Sequence, residues 1–221
     1  MRLRDRCPLT EPDVALTDFL LSLEAGLFAV LLWRSGPVDS DLRLPFVVFF
    51  AATALSALTG GIVHGFFTAN YTTTGVALWR LALIAVGVGA VAMWAIGARL
   101  LLPASAARTL LVVVTIVAVA YAITVAAVSD DFRIAIAHYL PPTLFLLFAF
   151  AAVYQRDRRL PLLAGVIGMV LTLVAAFVQQ RKIALHPVYF NHNALYHAIQ
   201  AVGLFLIYLT GRGLVQAAIR N

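Results

Sequence analysis

The sequence predicts an all-α fold, a polytopic membrane protein built as a bundle of seven transmembrane helices. Hydrophobic residues make up 62% of the 221-residue chain and charged residues 12%, whereas soluble domains have ~45–50% apolar and ~25% charged residues. The apolar residues form seven continuous runs rather than a period-two alternation, which favours helices over a membrane barrel. Each run approaches the ~20 residues that cross a ~30 Å hydrocarbon core. This composition excludes a soluble enzyme, a disordered chain and a secreted disulfide scaffold.

The spans are bounded by residues that stop a helix or leave the apolar core. Span one ends at Arg34, span two begins at Pro45, which a first turn tolerates, and span four follows Pro103. Spans three, six and seven are apolar runs delimited by polar loops. Pro141 and Pro142 fall inside span five and predict a kink near the membrane midplane, because proline lacks the backbone donor that a helix uses. The predicted spans are 14–33, 45–67, 75–98, 107–128, 134–154, 160–178 and 193–210.

Seven spans place the two termini on opposite faces of the membrane. Polar tails of residues 1–13 and 218–221 flank one membrane domain of residues 14–217. We call face N the side of the N-terminus and of the loops after spans two, four and six, and face C the other side. Face N carries six basic residues and face C nine, which favours a cytoplasmic C-terminus in a bacterial-type inner (plasma) membrane. Arg2, Arg4 and Arg6 favour the reverse orientation, because the first span often dominates topology.

Charge and cysteine content exclude several functions. The net charge of +6 comes mainly from arginines in loops and at span ends, so no basic face is left for nucleic acid. The single cysteine, Cys7, cannot form an internal disulfide or a paired-cysteine metal site. The single lysine, Lys182, lies in a loop, so no retinal Schiff base can form inside the bundle. Glycine pairs predict close helix packing at positions Gly87, Gly89, Gly165 and Gly168.

The polar residues are concentrated in the half of the membrane next to face N. Asp18, Glu24 and Arg80 lie within spans, where an ionisable group costs several kcal/mol unless it is paired or hydrated. We therefore predict that Arg80 pairs with Asp18 or Glu24. Such a pair would either fix the packing of helices one and three or leave one acid to orient a histidine or a water. All five histidines also belong to this half: His64, His138, His186, His192 and His197.

The histidines of spans two and seven predict a metal site. His64 ends span two and His197 lies within two turns of the start of span seven, so both can lie at one depth. Zinc binds imidazole nitrogens in tetrahedral sites and keeps an open position for water in catalytic ones. His192 is the candidate third ligand and His138 its alternative. Because His192 is five positions before His197, about 140° away on a regular helix, it must lie at or before the helix start.

These two histidine segments resemble those of the CREST superfamily, which includes the alkaline ceramidases, the progestin/adiponectin receptors and the haemolysin III proteins. The matching segments are SALTGGIVHGFF at 56–67 and NHNALYHAIQ at 191–200. The resemblance implies a zinc ion held by one histidine of helix two and two of helix seven. His64 and His197 match two of these ligands. The family's four-residue spacing places Asn193 at the third position, beside His192.

The resemblance also implies hydrolysis of a lipid amide, assisted by a serine on helix two and an aspartate on helix three. The family serine lies about one turn before the helix-two histidine, where this chain has Gly60, so Ser56 is the candidate. Helix three carries no acid, so Asp18 or Glu24 would act as general base or orient the ligands.

The leading hypothesis is a zinc-dependent integral-membrane hydrolase that acts on a lipid amide or ester at membrane depth. Its partner would be a membrane lipid that enters from the bilayer, because no soluble domain is predicted. One alternative is a haem-binding membrane protein with His64 and His197 as axial ligands. The other is a non-enzymatic seven-helix receptor or scaffold that has lost the metal site.

Overall fold

A computed structural model describes residues 9–35, 41–68 and 72–217. Within these residues the chain forms seven helices and no β-strand, and all seven are long and apolar enough to cross a membrane. The predicted all-α, seven-helix fold of an integral membrane protein is therefore confirmed. Residues 1–8, with Cys7, and 218–221 lie outside the described residues. The helices are α1 Pro12–Arg34, α2 Arg43–Phe66, α3 Thr73–Leu101, α4 Ala104–Ala127, α5 Phe132–Asp157, α6 Leu160–Gln180 and α7 His192–Ala217.

Side-chain caps fix three of the helix starts on face N. Thr72 accepts a hydrogen bond from the Gly75 amide at the start of α3, at 3.1 Å. Asp131 accepts one from the Arg133 amide at the start of α5, at 2.8 Å. Asn191 accepts from the first-turn amides of α7 at 2.8 and 3.2 Å. Each cap satisfies amides that have no partner within their own helix. The three capped starts follow the loops after α2, α4 and α6, which lie on face N.

The observed helices extend beyond several predicted spans. The largest difference is at α7, which continues to Ala217 rather than ending at Thr210. Gly213 packs directly against Pro161 of α6, where a Cβ would lie 2.7 Å from the proline Cβ. Leu214 and Val215 are buried in the same region. Tertiary packing therefore continues the helix past two glycines that lower its intrinsic propensity.

The two prolines of α5 lie inside an uninterrupted helix. Pro141 and Pro142 fall within Phe132–Asp157, as predicted. One turn after Tyr139, the Thr143 hydroxyl donates to the Tyr139 carbonyl at 2.8 Å. This bond adds a partner for a backbone carbonyl next to the turn that the prolines weaken. The kink itself stays a prediction.

Six helices form a closed ring and the seventh packs on its outside. Around the ring the order is α1, α2, α3, α5, α6 and α7, with α7 returning to α1. Among the described residues α4 packs only against α3 and α5. Glycines permit the close approaches that were predicted: a Cβ on Gly87 would lie 2.6 Å from the Tyr121 ring of α4, and one on Gly168 would lie 2.7 Å from the Gly203 carbonyl of α7.

The two halves of the ring differ in what fills them. Towards face C the interior is an aromatic and aliphatic core, in which Phe28 stacks on Tyr208 at 4.4 Å between ring centroids. Phe46, Phe49 and Phe50 of α2 are almost completely buried in this core. Towards face N the interior instead contains a cavity and most of the buried polar side chains. The fold therefore places a cavity with several buried polar side chains in the face-N half and a closely packed apolar core in the face-C half.

Candidate functional site

The cavity in the face-N half is the candidate site. Its volume is about 330 Å³. Residues from all six ring helices line it, and α4 contributes none among the described residues. Most of its wall is aliphatic or aromatic. The polar and ionisable side chains on its wall include Asp18, Ser56, His64, Asn193, His197 and Gln200.

His197 of α7 is held against α1 by both of its ring nitrogens. Its Nε2 lies 3.2 Å from Asp18 Oδ1, and its Nδ1 lies 3.1 Å from Thr17 Oγ1. His197 is 9% exposed and Asp18 only 4%, so water screens this pair weakly. The α1–α7 contact that closes the helix ring therefore also creates a carboxylate–imidazole pair on the cavity wall.

Two neighbouring glycines of α2 make room for Asp18. A Cβ on Gly61 would lie 2.9 Å from Asp18 Cβ, which is closer than atoms can approach without a shift. A Cβ on Gly60 would lie 3.6 Å from Asp18 Oδ2, at ordinary contact distance. The α2 backbone therefore passes directly over the carboxylate. Asp18 Oδ2 is buried and has no hydrogen-bond partner among the described residues.

A second carboxylate–imidazole pair lies at the face-N end of the cavity. His64 Nδ1 is 2.5 Å from Glu11 Oε2, and the Glu11 amide donates to the His64 carbonyl at 3.1 Å. The His64 ring also meets Trp79 edge to face, at 6.3 Å between centroids. These contacts orient the imidazole. Among the described residues its Nε2 makes no hydrogen bond, and the side chain lines the cavity, so this nitrogen can face a ligand.

The structure brings together five of the residues that the sequence singled out. The cavity wall contains Asp18, Ser56, His64, Asn193 and His197. The other three predicted site residues, Glu24, His138 and His192, are not among its lining residues.

Each of those three has a different position. Glu24 is a half-buried residue of α1. His138 stacks on Tyr121 of α4, with 4.2 Å between ring centroids and 7° between planes. His192 is the first residue of α7. Because His192 already belongs to a regular helix, it points about 140° away from His197.

The predicted pairing of Arg80 with Asp18 or Glu24 is wrong. The Arg80 Nε lies 3.4 Å from Asp130 Oδ2, and its NH1 donates to the Ala126 carbonyl at 2.8 Å. Ala126 lies in the last turn of α4, and Asp130 lies in the loop between α4 and α5. The long guanidinium side chain therefore reaches towards face N and the neighbouring loop, not across the ring to α1.

The geometry does not present a ready three-ligand metal site. Among the described residues no group of three or more His, Cys, Asp and Glu side chains is arranged to hold a metal ion. Asp18 and Thr17 occupy the two ring nitrogens of His197, and His192 does not line the cavity. The zinc site therefore stays a prediction.

Sequence reasoning missed two residues that the structure places in or next to the site. Glu11 was assigned to the N-terminal tail, yet it pairs with His64. Gln200 lines the cavity with 6% exposure and donates from Nε2 to Thr172 Oγ1 at 3.3 Å. The spacing could have identified Gln200 from the sequence: it follows His197 by three positions, so the two residues share a helix face.

Comparison with known proteins matches the chain to a family model but to no individual protein. The model of a family of unknown function, DUF6962, matches residues 14–216, from the first turn of α1 to the end of α7. No curated protein and no solved structure matched the chain. Because the matched stretch covers most of its length, the chain belongs to DUF6962, a family of unknown function.

Proposed function

We propose that the protein is an integral-membrane hydrolase that cleaves a lipid amide or ester in the face-N cavity. The observation that carries this proposal is the meeting of two carboxylate–imidazole pairs, Glu11–His64 and Asp18–His197, at one largely apolar cavity. Pairs of this kind perform proton transfer in hydrolases. An apolar cavity at membrane depth accepts the chain of a lipid. A kinship with the CREST superfamily belongs to the same proposal.

His64 is the proposed general base. The Glu11 carboxylate on Nδ1 fixes the orientation and the tautomer of the ring, as an acid behind a catalytic histidine does. His64 Nε2 would take a proton from water as the water oxygen attacks the acyl carbon. The proton then passes to the leaving nitrogen or oxygen as its bond to the acyl carbon breaks. The products are a carboxylic acid and an amine or alcohol.

Asp18 and Ser56 have supporting roles in this proposal. Asp18 holds His197 on the cavity wall and offers its second oxygen to the bound lipid. Ser56 is two turns before His64 on α2, about 12 Å along the helix axis, so it would contact the substrate rather than form a pair with His64. Glu24, which does not line the cavity, has no step in this reaction.

Zinc is a separate part of the hypothesis. When bound, zinc polarises a carbonyl group and lowers the pKa of a bound water. His64 fits a metal ligand, because a carboxylate behind a histidine is the usual second partner at zinc sites. His197 does not fit without leaving Asp18 and Thr17. Zinc therefore has no part in the reaction described above.

The test is lipid hydrolysis by the purified protein in detergent. A panel of fluorescent N-acyl and O-acyl lipids is offered, and release of the fatty acid is measured. His64→Gln is expected to lose about 10²–10⁴-fold in rate, the usual contribution of a general base. His186→Gln is the matched control, since His186 lies on the same face in an exposed loop outside the cavity. Equal rates for both variants, or no hydrolysis of any lipid by the wild type, would exclude the proposal.

Metal content is measured on the same preparations. Zinc bound at this site predicts one equivalent in the wild type and a clear loss in both His64→Ala and His197→Ala. Equally low zinc in all three proteins removes the metal while leaving the acid–base proposal to the hydrolysis assay.

The proposed location is a bacterial-type inner (plasma) membrane with the C-terminus in the cytoplasm. Its support is the excess of basic residues on face C over face N. In this orientation the cavity lies in the outer half of the bilayer. Reporter fusions after α7 that are active only outside the cytoplasm would contradict it.

A further inference from the structure

Two buried hydrogen-bond acceptors on the cavity wall have no partner among the described residues. They are Asp18 Oδ2, on α1, and Gln200 Oε1, on α7. The side chains are 4% and 6% exposed respectively, so bulk water does not compensate them. A buried acceptor without a donor is unfavourable, because folding has removed its hydrogen bonds to water and no hydrogen bond within the protein replaces them.

The orientation of the Gln200 amide follows from its neighbour. The Thr172 hydroxyl lies 3.1 Å from the Gly168 carbonyl and donates its single hydrogen to it. The Thr172 oxygen can therefore only accept from Gln200, whose Nε2 lies 3.3 Å away. The amide cannot be reversed without placing two oxygens in contact. Oε1 is thus the atom that Gln200 leaves without a partner.

Asp18 also has one buried oxygen without a hydrogen-bond partner among the described residues. One of its oxygens, Oδ1, is engaged by His197 Nε2 at 3.2 Å. The other, Oδ2, is buried beside Gly60, where a Cβ would lie 3.6 Å away, and both residues line the cavity. Asp18 pairs with His197, and Gln200 follows His197 by three positions on the same face of α7, so all three line one cavity.

We infer that the cavity binds an amphipathic molecule whose polar group carries at least two hydrogen-bond donors, and that Asp18 and Gln200 accept them. Hydroxyl, amine and amide N–H groups satisfy this requirement, whereas ester and ether oxygens do not. The aliphatic wall, which includes Leu21, Leu83 and Leu140, suits the apolar part of the molecule. This inference rests on the proposed function in taking the ligand to be a lipid, and it specifies the polar group.

The experiment compares binding of two lipids that differ only in donors. The probes are 1-oleoylglycerol, with two free hydroxyls, and the same lipid with both hydroxyls methylated. Affinities are measured in detergent by displacement of a fluorescent fatty-acyl probe. The wild type is expected to bind the dihydroxy lipid at least tenfold more tightly. Gln200→Met should reduce this preference several-fold, and Gln216→Met, an exposed position on the same helix, should leave it unchanged.

The wild-type comparison alone decides the outcome if the variant fails to fold. Equal affinity for the two lipids, preference for the methylated one, or no binding of either overturns the inference. A preference that Gln200→Met retains in full overturns the role of Gln200. Because binding is measured and not turnover, a donor preference without any hydrolysis would reject the hydrolase and support the binding site. Hydrolysis without a donor preference would do the opposite.

Discussion

Replacing Gly61 with alanine is expected to force α1 and α2 apart at the candidate site. The new Cβ would lie 2.9 Å from Asp18 Cβ and 3.0 Å from the Phe19 ring, whereas carbon atoms pack best at about 3.5–4.0 Å. Asp18 Cβ is fixed to the α1 backbone, so the whole helix must shift by about 0.5–1 Å. Overpacking of this kind costs ~1–3 kcal/mol, which corresponds to roughly 2–12 °C in Tm for a chain of this size.

The neighbouring glycine provides the matched control. A Cβ on Gly60 would meet Asp18 Oδ2 at 3.6 Å, an ordinary contact, and alanine favours helix over glycine by ~1 kcal/mol. Gly60→Ala should therefore keep or raise Tm, while its methyl group hinders ligand access to Asp18. Thermal unfolding in detergent, followed by tryptophan fluorescence, measures both variants. Equal Tm values for Gly60→Ala and Gly61→Ala would refute the close approach of α1 and α2 described above.

Three further predictions concern positions away from the cavity. Tyr121→Phe removes a 2.8 Å hydrogen bond to a backbone carbonyl of α3 and should cost ~0.5–1.5 kcal/mol in the free energy of unfolding, because the side-chain bond is lost while the carbonyl keeps its amide partner within the helix; an unchanged stability would contradict this. Gly168→Ala should weaken α6–α7 packing, because its Cβ would lie 2.7 Å from the Gly203 carbonyl; a lower Tm is the expected result. Hydrogen bonds from Arg133 lower the pKa of the Asp131 carboxyl to about 2, so the stability from this pair is present above pH ~4 and is lost as pH falls towards 2. The Tm difference between wild type and Asp131→Asn should therefore be constant above pH ~5 and shrink below pH ~4; a difference that grows on acidification would contradict the sign.

The helix count could be predicted from the sequence because lipid imposes a length and a polarity on every span. The exact ends of the helices could not be predicted, because they depend on packing contacts with residues that are distant in the sequence. The end of α7 shows the reason: Gly211 and Gly213 mark a helix end by propensity, yet α7 continues along α6 past Pro161. Nothing near Gly213 in the sequence reveals that contact.

The depth of the candidate site was predictable, but its side-chain pairs were not. The number of spans alone assigns each histidine to a membrane half, so His64 and His197 were placed correctly near one face. Which residues meet depends on how each helix is rotated and on which helices are neighbours. Arg80 shows the consequence, since charge matching suggested an acid of α1 and the structure gives Asp130. The Asp18–His197 contact likewise requires that α1 and α7 be adjacent.

The closure of the ring by α1 and α7 has a consequence for how the protein is made. Thr17 and His197, which meet at that closure, are 180 positions apart. At about 5–20 residues per second, the ribosome needs roughly 10–40 s to synthesise the chain between them. During this time α1 resides in the membrane with Asp18 lacking its imidazole partner, carried by a helix whose apolar window has a mean hydropathy of 1.8. The candidate site is therefore a product of late assembly, completed when the last helix docks against the first.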